Sequence, residues 1–164
     1  MTSDLGRAVT TAEAICAGRD LVLERDPSLR EMGFGAWEGL TWDEIVARWP
    51  GLDATYGKSP RHYTPEGGES WEELCARIDG ALRRIVAGLA PGGRGLIVSH
   101  AGVMHAIVHA VTATGAGDDG DAGIGITFLP ASILRLRGSF ADGWTLTSVN
   151  ETADSRGEAR TPGG

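Results

Sequence analysis

The segment from Gly95 to Val108, GLIVSHAGVMHAIV, places a histidine where a ligand site can form. Leu96, Ile97 and Val98 make a short continuous apolar run, as in a strand buried on both faces. Beyond Ser99-His100-Ala101-Gly102, the apolar residues Val103, Met104, Ile107, Val108 and Val111 recur at helical spacing. His100 therefore falls at the carboxyl end of a strand, just before a helix begins. Open α/β sheets bind ligands at that position, and the free N–H groups of a helix N-terminus attract anions. A histidine there could hold a phosphate. It could equally bond a neighbouring carbonyl and serve packing alone.

The other residues with chemical potential read more simply. His105 and His109 lie four apart on the helix after His100, a spacing that can bind metal, but no third ligand has a clear claim. A helix face is the safer reading, and no metal site is expected. Cys16 and Cys75 both fall in expected helices among apolar neighbours, which suits small buried hydrophobes rather than a disulfide or a metal pair. Arg61-His62 lies in a loop of Pro, Gly and polar residues, YGKSPRHYTPEGGES, of the kind that carries binding groups over a scaffold.

These residues need elements to position them. Residues 4–17 read as a helix, with Ser3 or Asp4 as N-cap and Gly18 as terminator. A short strand over Leu21–Leu23 precedes an irregular, glycine-punctuated loop. Thr41 to Trp49 forms a short amphipathic helix closed by Pro50-Gly51. Ser70 caps a helix running to about Leu89, with Glu73 completing a capping-box pattern. The helix from Gly102 ends near Thr114. The acids and glycines of GAGDDGDAGIG could suggest a calcium loop, but the ligand spacing and closing glutamate of an EF-hand are missing, so a surface loop is the better reading. Two hairpin strands follow, near Ser132–Arg137 and Trp144–Asn150. From Glu151 the chain is polar and glycine-rich, and the segment 153–164 is expected to be a disordered tail after a domain over 1–152.

A chain of 164 residues with 41% hydrophobic content suits one domain with a sizeable core. No apolar run approaches the roughly 20 residues that span a bilayer, so no membrane partner is expected and a cytoplasmic setting is the default. A net charge of −7 argues against nucleic acid or an anionic membrane surface. It leaves room for a small anionic substrate, because a few arginines in a pocket reverse the local field.

Four stretches, in order, resemble the histidine phosphatase superfamily, whose best-known branch is the cofactor-dependent phosphoglycerate mutases. SDLGRAVTTA is similar to the family's serine-led helix start, which carries a phosphate-binding arginine; that arginine matches Arg7. LREMGFGAWEGL resembles the stretch supplying an acidic proton donor, which matches Glu31. PEGGESWEEL resembles the glycine-glutamate-serine element that opens a helix, and LIVSHAGV the strand with the second active-site histidine, which matches His100. The resemblance implies a three-layer α/β/α sandwich with a mostly parallel sheet, truncated at its N-terminal strand. It implies metal-independent phosphomonoester hydrolysis of a small phosphorylated metabolite, without a cofactor. Arg7, His100 and Ala101 would bind the phosphate, and Glu31 and His100 would serve the chemistry. FGAWEG leans toward the phosphatase members rather than the mutases.

The residue types suit that chemistry. A phosphoryl group in transfer spreads charge over its oxygens, so catalysis is mostly positioning and electrostatic stabilisation. Arg7 offers a fork of donors near a helix start. Glu31 must hold a proton to give one to the leaving oxygen, and an adjacent phosphate anion favours the protonated form. Without the family pattern, Arg7 reads as a solvated helix arginine and Glu31 as a loop glutamate paired with Arg30.

The family's attacking histidine stands in an Arg-His-Gly tripeptide, and these 164 residues contain none. Three expectations follow. The chain is a fragment, or a mis-assigned start, of a longer active phosphatase; or it is a short, catalytically silent module that binds phosphorylated ligands; or its pocket serves acid-assisted chemistry without a phosphohistidine. The quality of the surviving motifs favours the first. A missing strand would leave the Leu96–Val98 and Leu21–Leu23 regions unpaired, with a homodimer through the open edge as one remedy.

Overall fold

The structure, a computed structural model, describes residues 1–52, 63–112 and 126–152. The chain divides into two compact units, Met1–Ala106 and Ile107–Gly164. Arg61-His62, the glycine-rich loop over 115–125 and the tail over 153–164 lie outside the described residues.

The first unit is organised around its first three residues. Thr2 makes parallel bridges to Arg25 on one side and to Val98 on the other. The Thr2 N–H donates to the Glu24 carbonyl at 2.8 Å, and the Ser3 N–H to the Val98 carbonyl at 2.9 Å. Thr2 and Ser3 are fully buried. Three expectations are corrected here. Pairing falls at Arg25 rather than over Leu21–Leu23, where Leu21 and Val22 are exposed. The Leu96–Val98 run is not buried on both faces, since Leu96 is 49% exposed and only Val98 forms a bridge. The Leu96–Val98 run, expected to lie unpaired beside a gap, is instead joined by Met1–Ser3 to the backbone of Glu24–Asp26. Apolar triplets suggest strands, but the available backbone partners decide which residues pair.

Helix α1 spans Gly6–Cys16 and buries Ala8, Val9 and Ala12. Its N-cap is Leu5, which has no side-chain oxygen to offer, rather than Ser3 or Asp4. Those two are engaged elsewhere: Ser3 Oγ meets His100, and Asp4 receives the fork of Arg30 at 2.7 and 2.6 Å. Helix α2, Trp42–Arg48, starts at a capping box between Thr41 and Glu44. It closes a satellite core in which Trp37, Ile45 and Leu52 are buried and Tyr63 stacks on Trp37 at 5.2 Å.

Helix α3, Trp71–Ala87, has the Ser70–Glu73 capping box that its sequence specifies. Leu74, Ile78, Ala81 and Leu82 fall at i, i+4, i+7 and i+8, and all are buried. The 3₁₀ turn Pro27–Leu29 packs against this helix. Helix α4, Ala101–Thr112, begins where the His100 carbonyl accepts the Met104 N–H at 3.0 Å. Cys16 and Cys75 are half-buried rather than buried.

In the second unit, β1 (Ile133–Ser139) and β2 (Gly143–Glu151) form the expected hairpin, paired from Ser139–Gly143 out to Ile133–Glu151. Arg135 clasps Glu151 across the strands at 2.6 and 3.1 Å. This antiparallel pair is the sheet among the described residues; the parallel character expected of the fold is present only as the two bridges at Thr2. No helix among the described residues is long and apolar enough to cross a membrane.

Candidate functional site

Three of the residues singled out from sequence converge within the first unit. His100, only 7% exposed, sits between the Val98 bridge and α4. Arg7, in the first turn of α1, directs its Nε–H onto His100 Nδ1 at 3.2 Å. The opposite ring nitrogen, Nε2, lies 2.9 Å from Ser3 Oγ. An arginine Nε–H can only donate, so Nδ1 must accept and the ring proton belongs on Nε2, which donates to the Ser3 hydroxyl. The geometry therefore specifies a neutral imidazole. Burial, followed by the Arg7 cation, pushes the His100 pKa below its ordinary value, while Glu31 acts in the opposite direction.

That depressed pKa has a sign. The unfolded chain takes up a proton at His100 near pH ~6.5, before the folded chain does. Stability from this group is present above that pH and is lost as the pH falls toward the folded value. The melting temperature is expected to drop between about pH 7.5 and 5.5. His100→Gln should flatten the drop, as thermal melts across that range will show; an unchanged slope would contradict a buried neutral His100.

Glu31 reaches the same place from the loop after the Pro27–Leu29 turn. Its carboxylate accepts the Met32 N–H at 3.0 Å and lies 3.5 Å from the Gly102 N–H, at the outer limit of a hydrogen bond. Gly102 is in the first turn of α4, whose unpaired N–H groups favour negative charge. A Cβ on Gly102 would come within 2.5 Å of Glu31 Oε1, so glycine is what permits this approach. The expected alternative, Glu31 paired with Arg30, is not what forms, because Arg30 is taken by Asp4. That fork also holds the Asp4 carboxyl below its ordinary range. Arg7 is exposed, as a solvated helix arginine would be, yet its Nε is fixed on His100.

Further ties hold the loop. Ser99 Oγ donates to the Leu29 carbonyl at 2.7 Å, joining the residue before His100 to the turn before Glu31. A shallow cavity of about 540 Å³ opens beside Glu31, lined by Arg30, Gly33, Glu69 and Arg77 among others. Arg7 and His100 do not line it. Ala101 opens α4 and is exposed. Ser3 and Gly102 are site residues that sequence reasoning did not single out. Ser3 resembled a helix cap, and the need for glycine at 102 follows only from the approach of a residue 71 positions earlier. No cluster of three metal-ligating side chains occurs among the described residues.

An α/β chain that gathers an arginine, a neutral histidine and a carboxylate at the start of a helix is built like a protein that handles anions. Comparison with known proteins gives the particular group. Residues 1–152 match the model of the histidine phosphatase superfamily, branch 1, and the chain belongs to that family. It is 33% identical over 158 residues to the bifunctional protein Rv2228c of Mycobacterium tuberculosis, a match covering 93% of this chain and 40% of that protein. It is 35% identical over 115 residues to a probable phosphoglycerate mutase, GpmB, of Cronobacter sakazakii, covering 68% of this chain and 51% of the relative. The chain thus spans about half or less of the length of these relatives. Among solved structures, mycobacterial glucosyl-3-phosphoglycerate phosphatase Rv2419c superposes with a TM-score of 0.78 at 29% identity, over 93% of this chain and 76% of that one. The same phosphatase has been solved with inorganic phosphate and with VO3. The fold is accordingly the α/β, phosphoglycerate mutase-like fold of the family.

Proposed function

We propose that these residues form the phosphate-binding half of a histidine phosphatase-type phosphomonoester hydrolase acting on a small phosphorylated metabolite. The observation that carries this reading is the direct Arg7–His100–Ser3 contact beside Glu31 at the N-terminus of α4. The Arg7 fork would take two phosphate oxygens, His100 would turn its Nε2–H from the Ser3 hydroxyl to the phosphate, and the Ala101 N–H would add the helix terminus. Glu31 would pass a proton to the leaving oxygen. The two parallel bridges at Thr2 support a larger, mostly parallel sheet in a three-layer sandwich. A homodimer through a sheet edge remains part of the proposal.

A phosphohistidine route needs a nucleophile, and no Arg-His-Gly occurs in these 164 residues. Binding without turnover is therefore the property proposed for this chain by itself, which is also what a silent phosphate-binding module would show. Calorimetric titration with vanadate or inorganic phosphate tests the reading, with p-nitrophenyl phosphate hydrolysis followed alongside. Saturable oxyanion binding with phosphate release at the buffer rate is expected. Failure to bind either oxyanion would overturn the site, and a phosphorylated histidine recovered from this chain would overturn the proposed silence.

A further inference from the structure

We propose that Glu69 and Arg77 are a positioning pair that holds the Glu31 carboxyl against the N-terminus of α4. Arg77 forms a bidentate bridge to Glu69, Nε to Oε1 and Nη2 to Oε2, both at 2.7 Å. Its remaining nitrogen, Nη1, donates to the carbonyls of Ser28 at 2.7 Å and Arg30 at 3.1 Å. Glu69 reaches the other side of the acid: its N–H donates to the Gly33 carbonyl at 2.8 Å, and its Oε2 accepts from the Gly33 N–H at 3.4 Å. One ion pair thus grips the backbone at residues 28, 30 and 33, on both sides of Glu31.

The pair does more than brace a helix. A bridge that only stabilised α3 would lie along its surface at i, i+4. Glu69 instead precedes the helix, and Arg77 commits a nitrogen to carbonyls of another segment. Both side chains are largely shielded, at 19% and 25% exposed, so water competes weakly for these bonds. The fit is close, because a Cβ on Gly68 would stand 2.9 Å from the Gly33 carbonyl oxygen. Among the described residues neither side chain hydrogen-bonds Arg7 or His100, so both act through Glu31 alone. For an acid, a displacement of about 1 Å can cost on the order of a hundredfold in rate.

The role rests on Glu31 being the acid of the proposed site, but its test does not depend on phosphate binding. In ¹H–¹⁵N spectra of the full chain, the Gly102 amide is expected to respond to pH across the acidic range, and Glu31→Gln should abolish that response. Arg77→Ala should lose it too, while the α1 amides of Val9 and Ala12 in the same unit stay in place, which general destabilisation would not produce. Glu69→Gln, which keeps the side-chain volume, should lose the same response and carries the test if Arg77→Ala does not fold. A Gly102 response retained in either folded variant, or one in the parent that survives Glu31→Gln, would overturn the positioning role. If the Gly102 result holds but added inorganic phosphate binds nowhere, the phosphate site fails and the positioning pair stands.

Discussion

Arg7→Ala is expected to weaken the binding of inorganic phosphate or vanadate by about tenfold or more. A hydrogen bond to a charged group contributes about 1.5–3 kcal/mol, and each ~1.4 kcal/mol is tenfold in affinity. Arg7 commits its Nε to His100, and in the proposed site its two terminal nitrogens would hold the phosphate, so alanine would remove ligand contacts and a cation together. One effect runs the other way. The Arg7 cation is among the causes that keep His100 neutral, so its removal lets His100 charge more easily and recover part of the attraction. Near neutral pH the lost contacts dominate, because burial, the larger cause, still disfavours the imidazolium. At lower pH the gap between parent and variant should narrow. Calorimetric titrations of both proteins at two pH values will show this; equal affinity at neutral pH would remove Arg7 from the site.

Gly35→Ala is expected to be the most damaging small substitution in the first unit. Gly35 has φ +48°, and a Cβ there would lie 2.3 Å from both the Glu66 carbonyl oxygen and the Gly68 nitrogen. Both are backbone atoms that cannot swing aside, and the Ala36 N–H to Glu66 carbonyl bond at 2.9 Å holds the two segments together. Strain and clash together place the loss at about 3–5 kcal/mol, a drop of roughly 6–20 °C in melting temperature. Gly39 provides the control: it has φ +75° but open space around its Cβ position, so Gly39→Ala carries only the conformational cost of about 1–2 kcal/mol. Melting curves for the two variants separate clash from dihedral strain. A Gly35→Ala protein as stable as Gly39→Ala would mean the two segments do not pack this closely.

The sequence legibly specified elements whose determinants are local. Ser70 with Glu73, the period of Leu74, Ile78, Ala81 and Leu82, and the hairpin strands all follow from neighbouring residues. Thr41 with Glu44 carried the same capping signal and was readable in the same way. Pairing across the chain was not local. Leu21–Leu23 has strand-like composition, but Arg25 has the partner, because Thr2 lies opposite it. The candidate site divides similarly. Arg7, Glu31 and His100 stood out through motifs, whereas Ser3 resembled a cap and the need for glycine at 102 depends on a carboxylate far away in sequence. Arg30 and Asp4 show why the pairing inferred for Glu31 did not form. Adjacent residues point apart in an extended segment, and the arginine finds the acid at the start of α1 instead.

In the proposed site, Arg7, Glu31 and His100 serve one phosphate. The most direct measurement is a titration of the ¹⁵N-labelled full chain with inorganic phosphate, following the ring nitrogens of His100, the Arg7 Nε and the backbone amides of Ala101 and Gly102. These signals are expected to move together and to saturate along one curve. Phosphate that leaves all of them unmoved, or that moves the rings of His105 and His109 while sparing His100, would contradict the account.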